Sequence, residues 1–157
     1  MKTAKDIQGD IITLLRGSGV ESLISGDIYR AGYRPRDSRL EDAVVIFTAG
    51  LPAQIQTGVV TIHIYVPDIT LDGVQVEDGA RTAVLERALQ EWAESLTPAV
   101  SPYKFTLQAT VSTEDAPDIG QHFVVAMLRY EYFGDDRSVE APLRFTSSGS
   151  GVGLRFV

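Results

Sequence analysis

The sequence predicts an α+β domain: a mostly antiparallel sheet with an N-terminal helix and a second helix packed on one face. Three observations lead there. Two stretches carry apolar residues at helical spacing, several others alternate apolar and polar side chains strictly, and the order runs helix, strands, helix, strand, strand.

Thr3 with Asp6 three positions on resembles a capping box, and Ile7, Ile11, Leu14 and Leu15 follow on one helical face until Gly17-Ser18-Gly19 stops the pattern. A short Asp27-Ile28-Tyr29-Arg30 segment and a polar loop from Gly32 to Asp42 come next. Ala43 to Thr48 is continuously apolar and β-branched, as a buried strand is, and a turn is expected at Ala49-Gly50-Leu51-Pro52. From Thr57 to Val66 the chain alternates, with Val60, Ile62, Ile64 and Val66 on one face and Val59, Thr61, His63 and Tyr65 on the other. Its length fits either a central strand or a protruding hairpin arm, and Pro67 ends it for want of an amide proton.

Asp72-Gly73 signals a turn, and Asp78 stands as the N-cap of a second helix running to about Ser95. Val84, Leu85, Ala88, Leu89, Trp92 and Leu96 form its core stripe. Arg81, Glu86, Arg87, Gln90, Glu91 and Glu94 form its solvated face. A strand is expected with Phe105, Leu107, Ala109 and Val111 on one face, then an acidic turn, then a strand from Phe123 to Phe133 with Val124, Ala126, Leu128, Tyr130 and Tyr132 together. These two are expected to form a hairpin. Residues 1–146 read as one domain, and 147–157 as a flexible Ser/Gly-rich tail.

Composition agrees with one compact soluble domain: 157 residues, 44% hydrophobic and 22% charged. Fourteen basic against 21 acidic side chains leave a net charge of −7, so phosphate neutralisation is not its expected business, and no sequence-specific nucleic-acid binding is predicted. The absence of cysteine excludes a disulfide framework, a thiolate nucleophile and a Cys-based zinc site. No apolar run approaches the roughly 20 residues that cross a bilayer, so no membrane association is expected.

The search for catalytic patterns returns no Walker loop, no GxSxG elbow and no HExxH. His63 and His122 lie far apart without ligand spacing, and Glu114, Asp115 and Asp118 read as solvated turn acids. No catalytic residue, cofactor or metal is therefore expected. The informative stretch is Tyr29 to Asp42, a basic island in an acidic chain, where Arg30, Arg34, Arg36 and Arg39 cluster with Tyr29 and Tyr33. Arginine and tyrosine are what protein interfaces favour, although the same loop fits a phosphate backbone, or a solvated connection whose arginines pair with Asp37, Glu41 and Asp42.

Gly32-Tyr33-Arg34-Pro35, Ser38, Glu41-Asp42-Ala43-Val44-Val45, Gln56-Thr57-Gly58-Val59-Val60 and Ile64-Tyr65-Val66-Pro67-Asp68 resemble stretches of phage and prophage tail-assembly proteins from head-to-tail joining genes. Over residues 3–133 the chain is similar to the tail terminators of long-tailed phages, whose α+β subunits form a ring, commonly a hexamer. The resemblance implies a virion structural protein, assembled in the bacterial cytoplasm, whose ring caps the tail tube and meets the head connector. A head-to-tail connector or tail-completion protein of similar fold is the neighbouring reading. A small ligand- or peptide-binding α+β domain is the alternative from another class. A ring needs heterologous contacts, so Tyr33, Arg34, Arg36 and Arg39 of one subunit are expected to meet Glu86, Glu91 and Glu94 of the next. A net negative subunit also suits a channel that DNA must cross without sticking.

Overall fold

The computed structural model describes residues 1–96 and 102–134, with the backbone of two further short pairs, Ser147–Ser148 and Val152–Gly153. Apart from those pairs, the expected tail lies outside the described residues.

The chain opens with helix α1 (Ala4–Leu15), capped as its sequence predicts: Thr3 Oγ1 accepts from the Asp6 amide, and the Asp6 carboxylate accepts from the Thr3 amide. The glycines that stop α1 do not end helical structure, because Ser18 caps a further short helix, α2 (Gly19–Leu23). Strands β1 (Ile28–Arg30), β2 (Ala43–Leu51) and β3 (Gln56–Pro67) follow, then a small hairpin of β4 (Ile69–Leu71) and β5 (Val74–Val76). Helix α3 (Gly79–Ser95) starts at Asp78, whose side chain accepts from the Arg81 amide. Strands β6 (Tyr103–Leu107), β7 (Ser112–Ala116) and β8 (Gln121–Tyr132) complete the main sheet, and β9 (Ser147–Ser148) pairs with β10 (Val152–Gly153). No helix among the described residues is long and apolar enough to cross a membrane.

The six-stranded sheet runs β1-β2-β3-β8-β6, with β7 also on β8, and every pairing is antiparallel except β1 with β2. The fold is therefore α+β. Strand β3 is central, and its alternation assigns its faces correctly. Val60, Ile62, Ile64 and Val66 are buried with Val124, Ala126, Leu128, Tyr130 and Tyr132 of β8 beneath α1 and α3. Ile7, Ile11 and Leu15 come down from α1, and Leu85, Leu89 and Trp92 from α3. The Trp92 indole N–H donates to the Leu14 carbonyl and joins the two helices.

Four local expectations are corrected. The turn predicted at Ala49-Gly50-Leu51 is strand, because β2 continues past a bulge after Phe47 and pairs Gly50 with Gly58. The two glycines are needed there because the Tyr130 ring lies on them: a Cβ at Gly58 would stand 2.6 Å from the Tyr130 hydroxyl and 2.2 Å from the Ala49 carbonyl oxygen. The single strand expected across Phe105 to Val111 is broken, since Leu107 pairs with Leu128 but Ser112 with Val125, and Ala109 in the interruption is exposed. Glu114 and Asp115 belong to β7, and the turn is made instead by Pro117–Ile119 and Gly120, whose φ is +63°. On α3, Val84 is exposed, while Thr82 and Ala93 are buried.

Gly58→Val is expected to destabilise the protein by roughly 1–3 kcal/mol through overpacking against Tyr130 and the β2 backbone. Urea denaturation followed by circular dichroism measures it, and an unchanged midpoint refutes this account of the glycine pair.

Candidate functional site

The loop between β1 and β2 makes a parallel connection without a helix, so side chains must satisfy its backbone. Arg34 does much of that. Its Nε donates to Asp42 Oδ2 at 2.8 Å, and its Nη2 donates to the Leu40 carbonyl at 3.1 Å and to Gln121 Oε1 at 3.0 Å. The guanidinium also lies 4.2 Å over the Tyr65 ring. Asp42, 1% exposed, accepts in addition from the Ser38 hydroxyl and the Asp27 amide. Its neighbour Glu41 takes a fork of two bonds from Arg81 of α3, Nε to Oε2 at 2.6 Å and Nη2 to Oε1 at 2.9 Å. Gly26 closes the knot: a Cβ there would stand 1.9 Å from Asp42 Oδ1.

The basic island is thus not one uniform surface. Arg34 is engaged inside the subunit, and Arg39 donates to the Ile119 carbonyl at 2.9 Å. Arg30 reaches the Lys5 carbonyl. Arg36 is exposed with no hydrogen-bond or ion-pair partner among the described residues, and Tyr33 is 70% exposed beside it. Arg36 also lines a cleft of about 370 Å³ floored by Val44 and Tyr65 and bounded by Gly32, Pro35 and Ile119. On α3, Glu86 accepts from the Thr113 hydroxyl of β7 and Glu94 from Gln90, while Glu91 is exposed. The solvated face expected for α3 therefore loses Arg81 and Glu86 to contacts within the fold. The spacing of charges along α3 does not reveal either partner, because both lie far away in sequence.

Two surfaces that sequence reasoning did not single out are apolar. The first is the sheet face opposite the helices. Val44 and Val125 are buried there yet lie outside the helix-covered core, between the half-exposed rings of His63, Tyr65 and Phe123. His63 stacks on Phe123 with ring centroids 4.3 Å apart, and its Nδ1 is buried without a hydrogen-bond partner. Burial holds the His63 pKa below its ordinary 6.5. His122 differs: its Nδ1 lies 2.6 Å from Asp68 Oδ1. No three His, Asp or Glu side chains among the described residues converge as a metal site.

The second surface is the β4–β5 ribbon. Its register pairs Ile69 with Val76 and Leu71 with Val74, so four apolar side chains share one face while Thr70 and Gln75 share the other. Ile69 is 46% exposed, and Leu71 and Val74 are each 60% exposed. The Gln75 side chain lies against Gly120, but Thr70 and Gln75 are themselves exposed, so the ribbon leaves both of its sides largely to solvent. The alternation of Ile69, Leu71, Val74 and Val76 about Asp72-Gly73 was visible in the sequence, although such short strands escape a periodicity count. The sequence matches no protein-family model and no curated protein.

Asp42→Ala is expected to cost about 3–5 kcal/mol, since it leaves Arg34 partly buried without its carboxylate. A stability loss under about 1 kcal/mol in urea would contradict that role. For His63 the unfolded chain binds a proton near pH 6.5 and the folded one resists it, so this contribution is complete above pH 6.5 and declines as the pH falls below it. Titrating thermal stability of the native protein against His63→Phe should show a flatter acid limb in the variant.

Proposed function

We propose that this protein is a virion assembly protein resembling a phage tail terminator, a subunit whose ring caps the tail tube and joins it to the head. The observation that carries this reading is where the large exposed apolar side chains lie. Leu51 and Ile55 sit at the β2–β3 end, Ile69, Leu71 and Val74 on the β4–β5 ribbon, and Tyr33 and Leu40 on the connecting loop, while Leu23 and Val84 lie on α2 and α3, Ile119 in the turn before β8 and Met1 before α1. Exposed apolar groups gathered on projections favour protein contact over the chemistry of a concave site.

The residues behind the resemblance support the reading in a particular way. Within those stretches Arg34, Ser38, Glu41 and Asp42 build the knot at the mouth of β2, so these positions serve the scaffold rather than a reacting group. The cyclic contacts then fall to exposed groups such as Tyr33, Arg36 and Glu91 and to the apolar projections. Partners are other copies of this chain, the tail tube and the head connector. A connector or tail-completion role uses the same surfaces. The cleft beside Arg36 favours a second reading, a small ligand- or peptide-binding domain.

Size exclusion coupled to light scattering over a concentration series, with negative-stain imaging, tests the assembly reading. The expected result is a mass rising with concentration towards a closed ring of about six subunits. A mass fixed at the monomer, with no binding to tail-tube ends, overturns it. Arg36→Glu should lower the assembled fraction and make it more sensitive to salt, as read by the same experiment.

A further inference from the structure

We infer that the β4–β5 ribbon is an intersubunit arm, and that it docks by its apolar face on the helix-free sheet face of a second copy of this chain. The inference rests on the assembly reading and deepens it by naming the two surfaces that meet.

A two-stranded hairpin alone is marginal in water, and this one leaves Ile69, Leu71 and Val74 exposed to solvent, with Gln75 of its other side lying near Gly120. The fold has oriented it away from its own core. The opposite face of the main sheet presents Val59, His63, Tyr65, Phe123, Val125 and Met127, and the buried residues of α1, α2 and α3 all join the other face. Each copy thus carries an uncovered apolar projection and, separately, an uncovered apolar surface.

Size and charge agree with that occupant. Strands of three residues make a ribbon about 10 Å long, and the stretch of β3 from Val59 to Tyr65 offers about 20 Å. The ribbon bears Asp72 at its tip, where φ is +51°. The receiving face bears Arg129 and Lys104 with Glu131 at one end, and Glu114 beside Phe123 with Arg36 beyond it at the other, so the basic groups outnumber the acidic ones by three to two. An arm on one surface and its seat on another allow a head-to-tail repeat, which gives a ring where the rotation closes. A ribbon this small falls short of the ~800 Å² per partner of a stable pair, so the contact is expected to depend on concentration and on repetition around the ring.

The cysteine-free chain allows a direct test with two full-length single-cysteine variants, Leu71→Cys on the ribbon and Met127→Cys on the sheet face. Each is treated with a short bismaleimide, alone and as an equimolar mixture, at a concentration where light scattering shows association. The expected result is a cross-linked dimer in the mixture and little in either variant alone. Dimer from Leu71→Cys alone would mean that ribbons pair with ribbons, and overturns the inference. Association by light scattering with no cross-link in the mixture also overturns it, while leaving the assembly reading standing. No association at any concentration, for native protein and variants alike, removes both. As a second measure, Leu71→Asp with Val74→Asp should abolish the concentration-dependent rise in mass with an unchanged circular dichroism spectrum, since both side chains are exposed. A mass curve like that of the native protein would overturn the arm.

Discussion

The adjacent carboxylates Glu41 and Asp42 are the constraint on which the rest of the structure depends. They stand at the entrance to β2, immediately before Ala43, and each holds an arginine from a different part of the chain. Asp42 with Arg34 folds the connecting loop onto the end of the sheet. Glu41 with Arg81 fastens the first turn of α3 to that same loop. A parallel strand pair normally needs a helical crossover to satisfy its connection, and here a hydrogen-bonded knot of side chains takes the place of that helix. The Asp42 carbonyl also accepts from the Tyr65 amide, so the knot continues into the pairing of β2 with β3.

That arrangement explains why Arg34 and Arg39 of the basic loop are not free to meet a partner. Arginines that look like a binding patch in sequence are drawn inward by buried carboxylates and by carbonyls lacking other donors. The charged face of α3 is thinned in the same way, Arg81 by Glu41 and Glu86 by Thr113. Exposed surface also includes apolar groups outside the basic loop. They lie on the helix-free sheet face and on the β4–β5 ribbon.

The two sheet faces divide the labour. One is filled by α1 and α3 and supplies the core, including a buried Tyr103 whose hydroxyl donates to Asp10 and whose pKa is pushed up by burial and by that carboxylate. The other stacks His63, Tyr65 and Phe123 with no helix over them, the Arg34 guanidinium lying over the Tyr65 ring. A sheet face left half open and a ribbon with exposed apolar side chains are the two surfaces on which the proposed contact between copies rests.

Local chemistry determined much of this in advance. The Thr3 capping box, the Asp78 cap, the α3 stripe of Leu85, Leu89 and Trp92 and the alternation of β3 are set by neighbouring residues, so they are legible in one dimension. The α+β class follows from their order. Only the tertiary structure decided which partners lay far along the chain: that Arg34 meets Asp42 and Gln121, that Arg81 meets Glu41, and that Gly50 and Gly58 make room for Tyr130 in a strand rather than a turn. It alone decided that Ile69, Leu71 and Val74 stay exposed, because the alternation within β4 and β5 does not say what packs on them. Periodicity assigns a side chain to a face of its own element. Which faces are then covered depends on how the elements pack.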